Sequence, residues 1–294
     1  MMEDILKAFR RCRRDTDFYR LRIAIENILS PRETAELISL RARLPHRARE
    51  WIDELETRMF SEIAEPQPYE RLRLGTHVWY YGHGPSEARR PHLLLAFCGT
   101  ANRLMAPIPV VLQHLNARRF DVVVLTDPTN RAYMMGIDGY ADDFDGILDR
   151  LDADVTLGAY RSIRCLGASI GGVVALRAGL ALRAERALSL GGRPIREYGP
   201  AHTVPAEALA AFDETFRRHA EAPTRIMCAY GADHEADRKG GLELARCLEG
   251  AVVPIPGVST HGLPGAILKQ GWLGRFFDDL LLADPPVEAP RATG

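Results

Sequence analysis

The 294-residue sequence lacks any apolar run that approaches the ~20 residues of a membrane-spanning helix. Its N-terminal stretch, MMEDILKAFRRCRRDTDFYR, has arginines where a secretory signal peptide needs an apolar core. Both absences argue against insertion into a membrane and against export. We therefore expect a cytoplasmic location and no membrane partner.

An excess of charge of either sign is also missing. The chain has 38 Lys and Arg against 39 Asp and Glu, which gives a formal net charge of −1. Such a chain has no general attraction for polyanions, and no nucleic-acid-binding motif occurs in it. The sequence predicts no nucleic-acid partner.

Cysteine is scarce and scattered. The five cysteines are an odd number without C-x-x-C spacing, and three of them lie in or at the end of apolar, strand-like runs. This distribution is typical of buried, reduced thiols rather than of disulfides or a metal site.

Residues 1–62 lack the valine-rich runs that mark strands. Their apolar residues recur at helical spacing and predict two to four helices, one of which begins with the sequence SPRE at Ser30. The segment also contains a basic run, RRCRR, at residues 10–14. Three interpretations stay open for it: docking of an acidic carrier protein, self-association, and packing on the domain that follows.

Residues 63–283 have a different pattern, in which short apolar runs alternate with helical segments and are separated by Gly and Pro. The predicted strands cover 77–81, 92–97, 121–125, 163–166, 187–190, 225–230 and 252–255. This alternation predicts an α/β fold with a mostly parallel sheet and helices on both faces. We expect a small helical lid at about 191–224 and a flexible, Pro-rich tail at 284–294.

One serine stands among small residues in the segment GASIGG, residues 167–172. With 25 glycines and eight serines in the chain, roughly 0.06 matches to G-x-S-x-G are expected by chance. A tight turn between a strand and a helix needs glycine with or without chemistry. A nucleophile elbow needs the same glycines to expose the hydroxyl of Ser169 at the edge of the sheet.

A nucleophilic serine requires a histidine base and a carboxylate that orients the histidine. In a parallel sheet these groups must come from loops at the carboxyl ends of strands, which share one edge. The strand RIMCAY is followed by Asp233 and Asp237, and the strand AVVPIP is followed by His261. The sequence therefore predicts that a serine, an aspartate and a histidine meet at this edge.

With these motifs in place, the sequence resembles the α/β-hydrolases over about residues 75–282, and GASIGG is the most specific part of the resemblance. The resemblance implies that Ser169 is the nucleophile and His261 the base. We predict no cofactor and no metal. For the acid we prefer Asp233, which is nearer the strand end, and keep Asp237 as the alternative because Asp237 could instead cap the following helix.

The mechanism also requires two backbone N–H donors for an oxyanion. Ile170 is expected to provide one of them, directly after the nucleophile. The loop GTANRLMAP after the strand LLLAFC is expected to provide the other, from Thr100 or else from Ala101. In the same loop, Asn102 and Arg103 are candidate substrate contacts at the pocket mouth.

The loop after the strand DVVVL adds Asp127, Arg131 and Tyr133 as candidate substrate contacts. It is followed by three acids in the sequence DDFD, residues 142–145. We interpret these acids as a helix start, where carboxylates favour the helix dipole, and not as a metal site.

These features favour a serine hydrolase that cleaves a small-molecule ester or thioester through an acyl-enzyme on Ser169. Two alternatives stay open: an acyltransferase that passes the acyl group to an alcohol, and a hydrolase-like binding module without catalysis.

Overall fold

The computed structural model describes residues 1–82, 89–198 and 205–283, and within them one eight-stranded sheet is flanked by α-helices. The strands are β1 (Glu70–Gly75), β2 (Val78–Gly82), β3 (His92–Phe97), β4 (Phe120–Leu125), β5 (Ser162–Ala168), β6 (Arg186–Leu190), β7 (Arg225–Gly231) and β8 (Ala251–Ile255). The helices are α1 (Met2–Arg11), α2 (Asp15–Glu26), α3 (Pro31–Ser39), α4 (His46–Met59), α5 (Ile108–His114), α6 (Phe144–Val155), α7 (Ile170–Ala181), α8 (Ala206–Arg218), α9 (Glu235–Cys247), α10 (Leu263–Lys269) and α11 (Leu273–Leu281).

The strands lie in the order β1-β2-β4-β3-β5-β6-β7-β8. Strands β3 to β8 are parallel, and only β2 runs against its neighbours. The predicted mostly parallel α/β sheet is confirmed. Strand β1, which was not predicted, is an edge strand whose charged sequence ERLRLG is largely exposed and lacks the apolar signal of the central strands.

Helices cover both faces of the sheet, as predicted. Along β3, Leu94 and Ala96 face one hydrophobic core while Leu93 and Leu95 face the other. Because both faces are buried, the central strands are continuous apolar runs rather than alternating ones.

The first four helices cover the same face as α5, α10 and α11. Leu6 of α1 and Trp51 of α4 are buried in one hydrophobic cluster with residues of these helices and of the sheet. The predicted helix start at Ser30 is confirmed, because the Ser30 side chain accepts a hydrogen bond from the Glu33 N–H and the Glu33 side chain accepts one from Ser30. Residues 1–62 thus pack on the domain that follows them, which is one of the three interpretations left open by the sequence.

The connection predicted as a lid contains α8, which packs on α7. The Arg177 side chain donates to Thr215 Oγ1 at 3.1 Å and stacks over the ring of Phe212. Residues 199–204 of this connection and the predicted tail at 284–294 lie outside the described residues. In the part of the chain that the structure describes, no helix is long and apolar enough to cross a membrane.

All five cysteines are free thiols. Cys98, Cys165 and Cys228 are buried in or next to central strands, whereas Cys247 on α9 is exposed. The prediction of burial therefore holds for the strand cysteines, whereas Cys12 is only partly buried and Cys247 is exposed.

Candidate active site

Ser169 occupies the sharp turn between β5 and α7, at the centre of the parallel sheet. Its backbone angles, φ 54° and ψ −123°, are ones that residues with a side chain rarely adopt. The glycines around it are required by close approach. A Cβ atom on Gly167 would lie 1.9 Å from the carbonyl oxygen of Gly171, and one on Gly171 would lie 2.3 Å from that of Phe97. The glycine pattern thus produces an elbow that presents the Ser169 side chain.

Three side chains from separate loops form a hydrogen-bonded chain at the carboxyl edge of the sheet. Nε2 of His261 lies 3.0 Å from Oγ of Ser169. Nδ1 of His261 lies 2.9 and 2.7 Å from the two carboxylate oxygens of Asp237. With Nδ1–H donating to the carboxylate, Nε2 is left to accept the serine proton.

Asp237 and His261 differ in their exposure to solvent. Asp237 is 1% exposed, and a Cβ on Gly191 in the loop after β6 would lie 2.8 Å from its carboxylate. The His261 side chain remains 42% exposed. The acid is therefore shielded from solvent while the histidine is accessible from outside.

The structure does not place the preferred acid, Asp233, against His261. Asp233 is exposed, and its backbone N–H donates to the carbonyl of Val258. The alternative, Asp237, lies in the first turn of α9, and this turn brings its carboxylate back over the strand ends. The preference for Asp233 rested on closeness along the chain, whereas the helical turn decides closeness in space.

A second histidine contacts the same aspartate. His234 is the N-cap of α9, and its Nδ1 lies 3.3 Å from the Asp237 backbone nitrogen and 3.2 Å from Oδ2. In the described residues, His234, Asp237 and His261 are the one group of potential metal ligands, with donor atoms within 4.8 Å of one another. Nδ1 of His261 is hydrogen-bonded to the Asp237 carboxylate and Nδ1 of His234 accepts from the Asp237 backbone N–H, and both contacts favour a proton-handling cluster over a metal centre.

The loop after β3 lies directly against the elbow. A Cβ on Gly99 would lie 2.7 Å from the carbonyl oxygen of Ala168. The Gly99 N–H donates to the carbonyl of Arg103 at 2.9 Å, and the Asn102 N–H donates to the carbonyl of Gly99 at 2.8 Å. Two backbone hydrogen bonds therefore close this loop into a compact turn beside Ser169.

The predicted oxyanion donors lie on two elements that adjoin Ser169, the start of α7 and the turn after β3. Ile170 is the first residue of α7, where a backbone N–H has no acceptor within the helix. Thr100 and Ala101 are exposed at the tip of the turn after β3. The arrangement thus leaves three N–H groups near the nucleophile as candidates.

The two substrate contacts predicted in the turn after β3, Asn102 and Arg103, differ in whether their side chains are paired. Asn102 has a φ of 54°, and its buried Oδ1 has no hydrogen-bond partner among the described residues. Arg103 does not line a pocket mouth, because its guanidinium donates to the buried carboxylate of Glu26 and, at 3.3 Å, to Oδ1 of Asn27.

Tyr133 is buried beneath the site and does not face a substrate. It is 1% exposed, and its hydroxyl is 2.7 Å from the carbonyl oxygen of Leu125 and 3.0 Å from that of Cys98. The buried carboxylate of Asp127 accepts hydrogen bonds from the backbone N–H groups of Arg131 and Tyr133. The side chains of Asp127 and Tyr133 therefore fold the loop after β4 instead of offering groups to a substrate, whereas the side chain of Arg131 is exposed.

The acids at 142–145 surround a helix start. The side chain of Asp143 is the N-cap of α6 and accepts from the Gly146 N–H at 2.7 Å. This role matches the interpretation of the acids as a helix start.

The sequence analysis missed Tyr198, which follows β6. Its hydroxyl hydrogen-bonds to the Ser169 side chain and accepts from the Arg193 N–H at 3.2 Å. Burial raises the pKa of Tyr198, and the hydrogen bonds and the charge of Arg193 act against this shift. The argument that led to Asp237 and His261, namely that loops at the carboxyl edge meet, applies equally to the loop after β6.

The α/β-hydrolase fold is defined by a sheet of this strand order with an elbow after β5, a buried acid after β7 and a histidine after β8. The chain has this fold, which its sequence resembles.

No protein-family model matches the sequence, and no curated protein matches it either. Several solved structures are similar. Est1E from Butyrivibrio proteoclasticus is 11% identical, with 73% of this chain and 99% of that chain covered and a TM-score of 0.47. A dienelactone hydrolase from Anabaena variabilis is 16% identical, with 71% and 95% covered and a TM-score of 0.45. The 2,6-dihydroxy-pseudo-oxynicotine hydrolase is 18% identical, with 80% and 74% covered and a TM-score of 0.45. Identities and scores this low leave the function to be argued from the site itself.

Proposed function

We propose that the chain is a serine hydrolase that cleaves an ester or thioester through an acyl-enzyme on Ser169. The observation that carries this proposal is the chain of hydrogen bonds from Asp237 through His261 to Ser169. A buried carboxylate on Nδ1 keeps the tautomer in which Nε2 accepts a proton, and Ser169 Oγ lies at the distance that this transfer needs.

In the first half of the reaction, Oγ of Ser169 attacks the carbonyl carbon of the substrate while its proton passes to Nε2 of His261. The carbonyl oxygen becomes an oxyanion. His261 then returns the proton to the departing alcohol or thiol, the bond to the leaving group breaks, and the acyl group stays on Ser169.

In the second half, water enters beside His261. Nε2 takes a proton from the water as its oxygen attacks the acyl carbon, and the proton then passes back to Oγ as the acid leaves. The exposure of the His261 ring supports hydrolysis over transfer to an alcohol, because solvent reaches the base.

The oxyanion is held by the N–H of Ile170 and by a second N–H from the turn after β3. Within that turn, the N–H groups of Gly99 and Asn102 already donate to backbone carbonyls. Of the positions in the turn, Thr100 and Ala101 directly follow Gly99, which packs against the elbow, and they supply the second donor. Removing one such donor from a serine hydrolase typically costs about 10²–10³ in kcat.

The test is covalent labelling by a fluorophosphonate, followed by mass spectrometry of the labelled peptide. We expect one adduct, on Ser169, in the wild-type protein and no adduct in Ser169→Ala. In His261→Gln, Ser169 should be labelled at a much lower rate. Ser39→Ala, at an exposed serine whose side chain bonds only to its own helix, is the matched control and should label like wild type. An unlabelled wild-type protein, or an adduct that survives in Ser169→Ala, would overturn the proposal.

A further inference from the structure

A buried carboxylate from the N-terminal helices lies behind the turn after β3. Glu26, the last residue of α2, is 1% exposed. One of its oxygens accepts from Nε1 of Trp51 at 2.6 Å and from Nε of Arg22 at 2.7 Å. The other oxygen accepts from the guanidinium of Arg103. A buried charge is tolerated only when it is paired and hydrogen-bonded, so this cluster is tightly constrained.

Arg103 connects this cluster to the turn. Its side chain is 18% exposed and is held at two points, by Glu26 and by the side chain of Asn27. Burial lowers the pKa of the Arg103 guanidinium, and the carboxylate of Glu26 acts against this shift, as expected for a pair that depends on each other.

The backbone of Arg103 closes the turn beside the nucleophile. Its carbonyl oxygen accepts the hydrogen bond from Gly99, and Gly99 packs against the elbow at Ala168. Thr100 and Ala101 lie inside the turn that this bond closes. The position of the Arg103 side chain therefore sets the position of the candidate oxyanion donors.

We infer that Glu26 is a positioning residue, which acts through Arg103 to hold the turn of residues 99–103 in the shape that binds the oxyanion. This inference rests on the proposed function, and it gives the N-terminal helices a role in the reaction. A misplacement of about 1 Å in a catalytic group can cost about 10²-fold in rate, so a modest shift of the turn is sufficient to be measured.

The first test compares Glu26→Gln with wild type in steady-state kinetics on a small activated ester. Glutamine keeps the shape and the acceptor oxygen but removes the charge that pairs with Arg103. We expect kcat to fall about 10- to 100-fold while KM changes less than about threefold, because the N–H donors of the turn bind the charge that develops in the transition state. The rate of fluorophosphonate labelling at Ser169 should fall in parallel.

Arg103 supplies the second variant, in which Glu26 keeps its hydrogen bonds to Trp51 and Arg22. Arg103→Met should reduce kcat as Glu26→Gln does, and Arg103→Lys, which keeps the charge, should recover part of the loss. The double variant Glu26→Gln with Arg103→Met should be no slower than the slower single variant, because both remove one connection.

The matched control is Arg71→Gln. Arg71 on β1 pairs with Glu33 on α3 at 2.9 Å, so this pair also joins the N-terminal helices to the sheet, but at its far edge. We expect this variant to lose stability without loss of kcat. If Glu26→Gln and Arg103→Met behave like Arg71→Gln, the inference is wrong while the serine hydrolase stands. If the wild-type protein does not label at Ser169, both fail.

Discussion

The carboxylate of Asp237 lies 2.7 Å from Nδ1 of His261, and its other neighbour is Nδ1 of His234 at 3.2 Å. Both histidines are thus within reach of one buried acid. Only His261 also contacts Ser169, through Nε2. The geometry therefore distinguishes a histidine in line with the nucleophile from one at the side.

Replacing Asp237 by asparagine should lower kcat by a factor on the order of 10⁴, because an amide favours the wrong tautomer of His261. Asp233→Asn is the control. Its side chain is exposed and away from His261, so kcat should change less than about twofold. Steady-state kinetics of the two variants decide the matter, and a larger effect at Asp233 would reverse the assignment.

Replacing Tyr198 by phenylalanine removes the hydroxyl that hydrogen-bonds to Ser169 and leaves the ring that packs under Arg193. A neutral hydrogen bond contributes about 0.5–1.5 kcal/mol, so we expect kcat to fall about three- to tenfold. Tyr140→Phe removes a hydroxyl bonded to Asp154, away from the site, and serves as the control. Equal kinetics in the two variants would remove Tyr198 from the reaction.

The stability of the fold should fall in acid because of His92. Burial, with help from Arg164 and Arg119, lowers the pKa of His92 to about 4. Above pH ~6.5 the imidazole is neutral in both states, but between about pH 6.5 and about pH 4 the unfolded chain binds a proton that the folded chain excludes. The free energy of unfolding therefore decreases as the pH falls through this range.

Urea unfolding at about pH 7.5 and about pH 4.5 measures the effect, and it should be smaller in His92→Gln. Glutamine can still accept from Arg119 and donate to Ser162, the two partners of the histidine. His46→Gln, at a histidine with an 85% exposed side chain, is the control and should keep the wild-type pH dependence. Identical slopes in all three proteins would contradict the assignment to His92.

The N-terminal helices should contribute to the stability of the whole chain. Leu6 on α1 is fully buried in the core that covers one face of the sheet. Leu6→Ala should lower the free energy of unfolding by about 2–5 kcal/mol in chemical denaturation. Tyr19→Ala on α2, at a residue 62% exposed, should change it by less than about 0.5 kcal/mol. A Leu6→Ala variant as stable as the control would mean that these helices fold apart from the domain.

The parts of the fold that sequence could predict are those with local signals. Continuous apolar runs marked β3 to β8, and glycines marked the elbow, because a strained turn excludes other residues. The edge strand β1 was missed, since its exposed positions are charged and its apolar signal is weak. In the same way, the sequence predicted that Ser169 and His261 meet, because both follow parallel strands whose carboxyl ends share one edge of the sheet.

The remaining details of the site depend on contacts that have no local signal. The first turn of α9 decides between Asp233 and Asp237. The partner of Arg103 is Glu26, which lies in a different segment of the chain, so an arginine predicted at a pocket mouth is in fact part of a buried ion pair. Tyr133 was misplaced for a similar reason: nothing in its sequence neighbourhood indicates that the loop after β4 turns inward.

The backbone of Ser169 has a consequence for how this chain can change by mutation. Its angles, φ 54° and ψ −123°, cost a residue with a side chain of the order of 1–3 kcal/mol. Glycine has no such cost, so Ser169→Gly should unfold at a higher temperature than wild type while losing the nucleophile. The more stable sequence at this position is an inactive one, and selection for thermal stability alone would therefore favour the loss of activity.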